Sequence, residues 1–571
     1  MRQRQGPRPR RLLRRLLATL AFVAAPVVAP AAPPPNLLLV VADDLGFSDL
    51  GVTGGEIPTP TLDRLAREGV LLTQFASMPT CSPSRAALLT GRVPQRVGLG
   101  TMAELVAPNQ QGRRGYEGWL VDGVPTVAGA LRARGYATYL SGKWHLGDVP
   151  GRLPVDRGFE RSFALLHGGA SHVDLRGYMP QQPRAAYVED GALIEPPTPF
   201  YSSDLFVDRL LGYLQEARRR GDARPFFAYL AFTAPHAPLH APAEVRAATR
   251  ARYAAGWDAV RAARHARQQA SGLLPADAPL PPRWPMVPAW DGLDAAQQAR
   301  EVARMSAYAE MVEGLDRSLG RLLAQLEQDG SLADTVVVFL SDNGAEASDF
   351  SAMPGIGEWF RRAWNADVAR IGRGDSYAFQ GAGWAQVSAT PNRLFKGLPT
   401  SGGTRVPAIV RAPGRFPAGT RIATPTSIVD LAPTLLALAG GTLADVDGGA
   451  LGRVLEGRSR EVRRDSPGLG MELLGNRAWQ SGRWKIVQLR APWGDGTWEL
   501  YDTRVDPGES RNLAAAQPDV VRALAAQYAA WAQRVGVIEV PAGFMPYPLV
   551  VAPDGAPRGP GPAAASGSLG Q

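Results

Sequence analysis

Short apolar runs end in polar clusters at four widely separated places along the chain. Residues 37–42 lead directly into Asp43-Asp44, and 137–140 lead into Ser141-Gly142-Lys143-Trp144-His145. Residues 226–232 lead into Thr233-Ala234-Pro235-His236, and 336–340 into Ser341-Asp342-Asn343-Gly344. Each run has the length of a buried strand. Helical patterns separate them, as over 124–134 and 305–327. The alternation predicts an α/β fold, a large, mostly parallel sheet sandwiched by helices. Ligands in such sheets bind beyond the carboxyl ends of the strands, so the four clusters are expected to meet there.

Residues 241–298, rich in Ala, Arg and Pro, read as a helical and irregular insertion. A smaller C-terminal α+β subdomain is expected to begin between 458 and 470, with strands at 484–489 and 498–501 and a helix over 518–535. The expected organisation is a leader at 1–31, a catalytic domain at 36–457, a subdomain at 458–545 and a disordered Gly/Pro/Ala/Ser tail at 546–571.

The 571 residues, 45% hydrophobic and 20% charged, suit one large globular domain plus a smaller one. The net charge of +9 invites a nucleic-acid reading, but seven arginines precede the first acidic residue, Asp43, and removing them from +9 leaves +2. No basic footprint for nucleic acid remains. Those arginines, the apolar stretch 16–28 and Ala29-Pro30-Ala31 read as a signal peptide, with an uncleaved anchor as the alternative. The apolar stretch is short for a span, so no stable membrane partner is expected. The body of the protein is expected in the periplasm or outside the cell.

Cys81 is the single cysteine, so it forms no internal disulfide. Only three of the 62 basic residues are lysine: Lys143, Lys396 and Lys485. A lysine kept in so arginine-rich a chain is a candidate for a role that a compact ammonium fills and a guanidinium does not.

Cys81-Ser82-Pro83-Ser84-Arg85 places a thiol near the start of a helix that Pro83 can open, where negative charge is favoured. A reactive thiolate and an inert buried cysteine both remain open on that pattern alone. Asp43-Asp44 and Asp342-Asn343 offer four hard oxygen ligands without histidine or thiolate, which favours Ca²⁺ or Mg²⁺ over zinc.

Cys81-Ser82-Pro83-Ser84-Arg85 followed by Thr90-Gly91-Arg92 closely resembles the signature of the type I sulfatases, in the alkaline-phosphatase-like superfamily. Gly142-Lys143-Trp144-His145-Leu146-Gly147, Ala234-Pro235-His236 and Phe395-Lys396-Gly397 resemble further elements of that family. Gly383-Trp384-Ala385-Gln386 looks most like the bacterial arylsulfatases. The resemblance covers 36–512 and includes Leu500-Tyr501-Asp502 and Asp506-Pro507.

The resemblance implies hydrolysis of sulfate esters by a formylglycine (3-oxoalanine) formed from Cys81 by a formylglycine-generating enzyme. It implies one calcium ion held by Asp43, Asp44, Asp342, Asn343 and residue 81. It implies that Arg85 holds residue 81, that Lys143 and Lys396 neutralise sulfate, and that His145 acts as a base. His236, with Lys396, would protonate the departing oxygen of the small-molecule ester. Ser401 departs from the family pattern, where Glu or Gln precedes the paired glycines. Ser171-His172 is a candidate neighbour of the sulfate, whereas His167 and His240 lie in no motif and His265 reads as a solvated surface residue.

Three rivals are a phosphonate or phosphate monoester hydrolase on the same scaffold, a non-catalytic exported anion-binding protein, and a cysteine hydrolase using Cys81 and His236.

Overall fold

A computed structural model describes residues 34–544, apart from positions 244, 354 and 463–467. The expected leader and the expected tail lie outside these residues.

Five parallel strands form the centre of a ten-stranded sheet. In spatial order they are Thr335–Ser341, Asn36–Ala42, Phe226–Ala231, Ala137–Lys143 and Arg161–Leu165. Successive antiparallel pairings add Ala408–Arg411 and then Val70–Leu72 on one side, and Tyr187–Glu189 and then Ala192–Ile194 on the other. Thr420–Ile422 closes the first side, parallel to Val70–Leu72. The sheet is parallel at its centre and mixed at its edges.

Both faces of the central strands are covered, which is why their sequences are near-continuous apolar runs. Leu38, Val40 and Ala42 face a core shared with the helices Pro60–Glu68, Ser202–Arg219 and Ala295–Gln328. Leu37, Leu39 and Val41 face a second core with the helices Cys81–Thr90, Val127–Arg132 and Leu431–Leu438. Fully burying one such side chain contributes about 1.5–3 kcal/mol, which fixes the register of every central strand. In that register Ala42 lies opposite Ser341, Val41 opposite Ala231, and Ala231 opposite Gly142. The polar clusters that follow these strands therefore emerge at one level.

Local signals account for the helix boundaries that periodicity misplaces. The helix expected over 124–134 spans only Val127–Arg132, because Thr126 caps it by accepting the Gly129 N–H at 3.0 Å. The helix expected over 305–327 begins at Ala295, where Asp294 and Gln297 form a reciprocal capping box.

The region read as an insertion contributes helices Ala247–Tyr253 and Gly256–Ala270. His265, expected on the surface, is buried. It shares a helix face with Val260, Arg261, Arg264 and Gln268, all buried, so the helix turns that side inward.

Strands Leu469–Leu473, Asn476–Ser481, Trp484–Gln488 and Trp498–Asp502 form an antiparallel sheet beneath the helix Pro518–Val535. Leu469, Met471, Ile486, Leu500 and Trp531 belong to the same apolar cluster as Leu37 and Leu39. The C-terminal sheet and the central sheet thus share a core. Among the described residues, no helix is long and apolar enough to cross a membrane.

Candidate active site

The turn after strand Asn36–Ala42 carries two adjacent buried carboxylates, and Asp44 adopts a left-handed backbone (φ 64°). Aspartate tolerates this conformation better than most residues, and the bonds around the turn fix it. Asp49 does so by accepting the Gly46 N–H at 2.9 Å and the Tyr308 hydroxyl at 2.7 Å. Its other oxygen takes Arg264 Nη1 at 2.6 Å and Ser388 Oγ at 2.8 Å. Arg264, from helix Gly256–Ala270, is itself fully buried and paired with Glu56 at 2.7 Å. The supposed insertion therefore braces the acidic turn.

Cys81 is the first residue of a helix buried along its whole length, after an extended Thr80. Pro83 sits within the first turn, where its missing N–H is no loss. The Cys81 sulfur lies 3.4 Å from Asp43 Oδ1 and 4.0 Å from Asp44 Oδ1. Burial pushes the thiol well above its ordinary range, with Lys143 and Lys396 opposing. Burial of that kind disfavours a thiolate, whereas reactive cysteines sit in partly exposed, electropositive surroundings.

Donor atoms of Asp43, Asp44, Cys81 and Asp342 all lie within 4.8 Å of one another. Asn343 Nδ2 donates to Asp44 Oδ1 at 2.6 Å, while its buried Oδ1 has no hydrogen-bond partner among the described residues. An orphaned buried carbonyl oxygen is expensive. Three carboxylates together with an amide carbonyl are the donor chemistry that a hard divalent cation takes.

Three cations face the three carboxylates. Lys143 Nζ donates to Asp43 Oδ2 at 2.6 Å, and Lys396 Nζ lies 2.7 Å from Asp44 Oδ1 and 3.1 Å from Glu346 Oε2. Arg85 Nη2 and Nε donate to Asp342 Oδ2 at 2.7 and 3.0 Å, and its Nη1 to the Lys143 carbonyl at 3.3 Å. The described hydrogen bonds of Arg85 thus hold Asp342. Burial pushes the Asp44 carboxyl up, but Lys396, His236 and Lys143 outweigh it and hold it at about 2. For Asp342, burial and Asp43 overcome Arg85 and raise the carboxyl to about 6.

Both histidines have defined tautomers. His236 Nδ1 lies 2.6 Å from the Ala237 carbonyl, which can only accept, so Nε2 carries the lone pair and faces Asp44 Oδ2 at 3.7 Å. Burial pushes His236 down to about 3, against Asp44. His145 Nε2 lies 3.4 Å from Glu104 Oε1. Burial raises the Glu104 carboxyl, but His145 outweighs it and holds it at about 2, so His145 donates through Nε2. Its buried Nδ1 is then a lone pair without a partner among the described residues.

Residues 35–441 match the Sulfatase family. The chain belongs to the sulfatase family. It is 36% identical over 539 residues to a sulfatase of uncharacterised function from Schizosaccharomyces pombe (strain 972 / ATCC 24843), covering 90% of this chain and 96% of that protein. It is 36% identical over 411 residues to an arylsulfatase from Klebsiella aerogenes, covering 71% and 87%. The solved structure of Ps i-CgsB in complex with k-i-k-neocarrahexaose superposes with a TM-score of 0.61 at 23% identity, covering 87% and 92%, a likeness of fold. This sulfatase is a sulfuric ester hydrolase with the α/β architecture expected of the alkaline-phosphatase-like superfamily.

Other residues of the sulfatase take supporting places. His172 donates from Nε2 to the His236 carbonyl at 3.0 Å and accepts Ser202 Oγ at 2.7 Å, so it props His236 from behind. Ser171 Oγ accepts the Val173 N–H at 3.3 Å. His240 donates to the Ser376 carbonyl at 2.8 Å, and His167 lies 4.0 Å from Asp148 near the rim. Ser401 donates to Glu509 at 2.7 Å, and Lys485 pairs with the same oxygen at 2.6 Å. A carboxylate from the C-terminal sheet region thus lies beside Ser401.

Glu104, Glu346 and Tyr178 reach the site without any sequence signal. The Tyr178 ring packs edge-on to His236 at 5.5 Å. Beneath both imidazoles run Gly168 and Gly169, where a Cβ would come within 2.9 Å of His145 Cε1 and 3.1 Å of His236. Glycine there is a matter of close approach rather than of φ.

Proposed function

We propose that this protein is an exported, calcium-dependent sulfatase that hydrolyses sulfate esters with a formylglycine made from Cys81, releasing sulfate and an alcohol or phenol. The observation that carries the reading is the convergence of Asp43, Asp44 and Asp342 on residue 81, with Asn343 bonded to Asp44 and its buried Oδ1 without a hydrogen-bond partner among the described residues. The Cys81 sulfur stands where the oxygens of the modified residue would lie. Asp43, Asp44, Asp342 and Asn343 Oδ1 would hold the ion. When bound, calcium adds Lewis-acid charge that orients residue 81 and the sulfuryl oxygens. The hydrated aldehyde offers one hydroxyl for attack on sulfur and a second for release of sulfate.

The chain's own groups do the rest. Asp43, Asp44, Asp342 and Glu346 outnumber Lys143, Lys396 and Arg85 by one, so a divalent ion turns the cluster net positive, as an anionic ester needs. Lys143 and Lys396 place ammonium groups where charge grows on the sulfuryl oxygens. Lys396 holds a transferable proton for the departing oxygen. His236, neutral with its lone pair on Nε2, takes up a proton once an anion lies beside it and shares it with that oxygen. His145, steered by Glu104, presents Nδ1 as the base for a hydroxyl of residue 81. Arg85 fixes Asp342 and so the shape of the cation site.

Export rests on the arginine-rich start followed by the apolar stretch 16–28. Maturation requires a formylglycine-generating enzyme as a transient partner.

Mass spectrometry of the peptide containing residue 81 tests the reading: active enzyme should carry it lighter than the cysteine form. Cys81→Ala should abolish turnover of aryl sulfates while still binding calcium. An unmodified thiol in active enzyme would sink the proposal. Matched sulfate and phosphate esters of one phenol should show preference for sulfate, and preference for phosphate would favour the monoesterase rival.

A further inference from the structure

Cys81, Met102 and Leu105 form a small apolar cluster of their own, and Leu474 packs against it. The first three are nearly buried and Leu474 is half-buried, so the cluster rises from residue 81 towards the surface. Met102 and Leu105 come from the loop that also carries Glu104, and the Met102 sulfur accepts the Thr80 hydroxyl at 3.1 Å. Leu474 comes from the C-terminal sheet. It is the first residue of the two-residue turn joining strands Leu469–Leu473 and Asn476–Ser481.

Leu474 and Gly475 both have positive φ, 53° and 83°. Hairpin turns with two positive φ values favour Asn-Gly, and leucine is a costly occupant of the first position. The turn is firmly held. The Gly475 N–H donates to Glu472 at 2.8 Å, and Arg490 donates to the Leu474 carbonyl at 3.2 Å. A rigid turn that carries, against its backbone preference, an apolar side chain packed on the cluster that includes residue 81 points to use of that side chain.

We infer that Leu474, with Met102 and Leu105, is a specificity wall that recognises the organic part of the ester. The favoured substrates are sulfate monoesters of an apolar ring or chain rather than of a polyhydroxylated sugar. The inference rests on the sulfate-ester reading above and adds that the C-terminal sheet supplies part of the recognition.

The test uses 4-methylumbelliferyl sulfate with the full-length enzyme. Leu474→Asn installs the residue the turn prefers and removes the apolar contact. KM should rise about tenfold with kcat within about twofold, and the thermal midpoint should stay level or rise. Leu474→Met, which keeps the apolar contact, should retain the wild-type KM. An unchanged KM in Leu474→Asn, or an equal loss in both variants, would overturn the inference. A KM rise accompanied by a lower thermal midpoint would also overturn it, because it would mark a structural role. Wild-type enzyme inert towards every sulfate ester would instead defeat the underlying reading.

Discussion

Arg85 and Asp342 are joined by two hydrogen bonds to one oxygen, and both side chains are fully buried. A pair so deep is strongly destabilised when one member is lost, because the other remains an uncompensated charge. Arg85→Met should therefore cost about 4 kcal/mol in urea unfolding, within the range for broken buried pairs. Activity should vanish even in whatever fraction folds. A variant with unchanged stability would show that the pair does not organise the site.

Three buried carboxylates around residue 81 predict a fold that a divalent cation stabilises. Calcium should raise the thermal midpoint, with about 2.7 kcal/mol of added stability at a hundredfold excess over Kd. A chelator should reverse this and abolish turnover, and calcium should restore both. Indifference of the midpoint to calcium and chelator would remove the Asp43, Asp44, Asp342 and Asn343 cluster as an ion site.

Gly168 lies where a methyl group would press on His145 and on the Tyr178 hydroxyl, at 2.9 and 2.8 Å. Gly168→Ala should displace the imidazole and lower kcat by about a hundredfold, the scale of a misplacement near 1 Å. Circular dichroism should remain unchanged. Full activity would mean that the ring tolerates the shift.

Glu472 gives the fold a pH dependence of its own. Burial raises its carboxyl to about 7 from 4.5; the Gly475 N–H, Arg477 and Arg490 oppose the rise, and Glu539 adds to it. Tyr116 and Tyr528 also face it. The folded state holds the proton more tightly than the unfolded chain, so this contribution is full below about pH 4.5 and is lost as pH rises to about 7. The loss is on the order of 3 kcal/mol. Glu472→Gln should be the more stable protein at pH 8 and match wild type at pH 4, as read from denaturant midpoints. Parallel pH profiles for the two proteins would refute the assignment.

The parts of the site that follow buried strands were legible from the chain alone. Asp43, Lys143, His236 and Asp342 each come at or just after an apolar run, and a shared register brings those ends together. The rarity of lysine was informative too, since Lys143, Lys396 and Lys485 are all buried and ion-paired. Glu104 and Tyr178 were not legible, because each sits on a loop or hairpin with no periodicity to mark it and reaches the site only through tertiary packing. Arg85 was found as a residue but not as a partner of Asp342, since 257 positions separate the two. His265 was misread because an Ala/Arg-rich helix looks solvated until the buried Arg264–Glu56 pair beside it is seen.

The apolar cluster that joins Leu39 to Ile486 and Trp531 makes the segment 469–535 a wall of the molecule rather than an appendage. A chain ended at 457 would bare the apolar side chains of the shared core that the C-terminal sheet and helix cover, and it should clump or be degraded instead of surviving as a smaller enzyme. Swapping that portion between relatives would likewise require the side chains facing it to change in step.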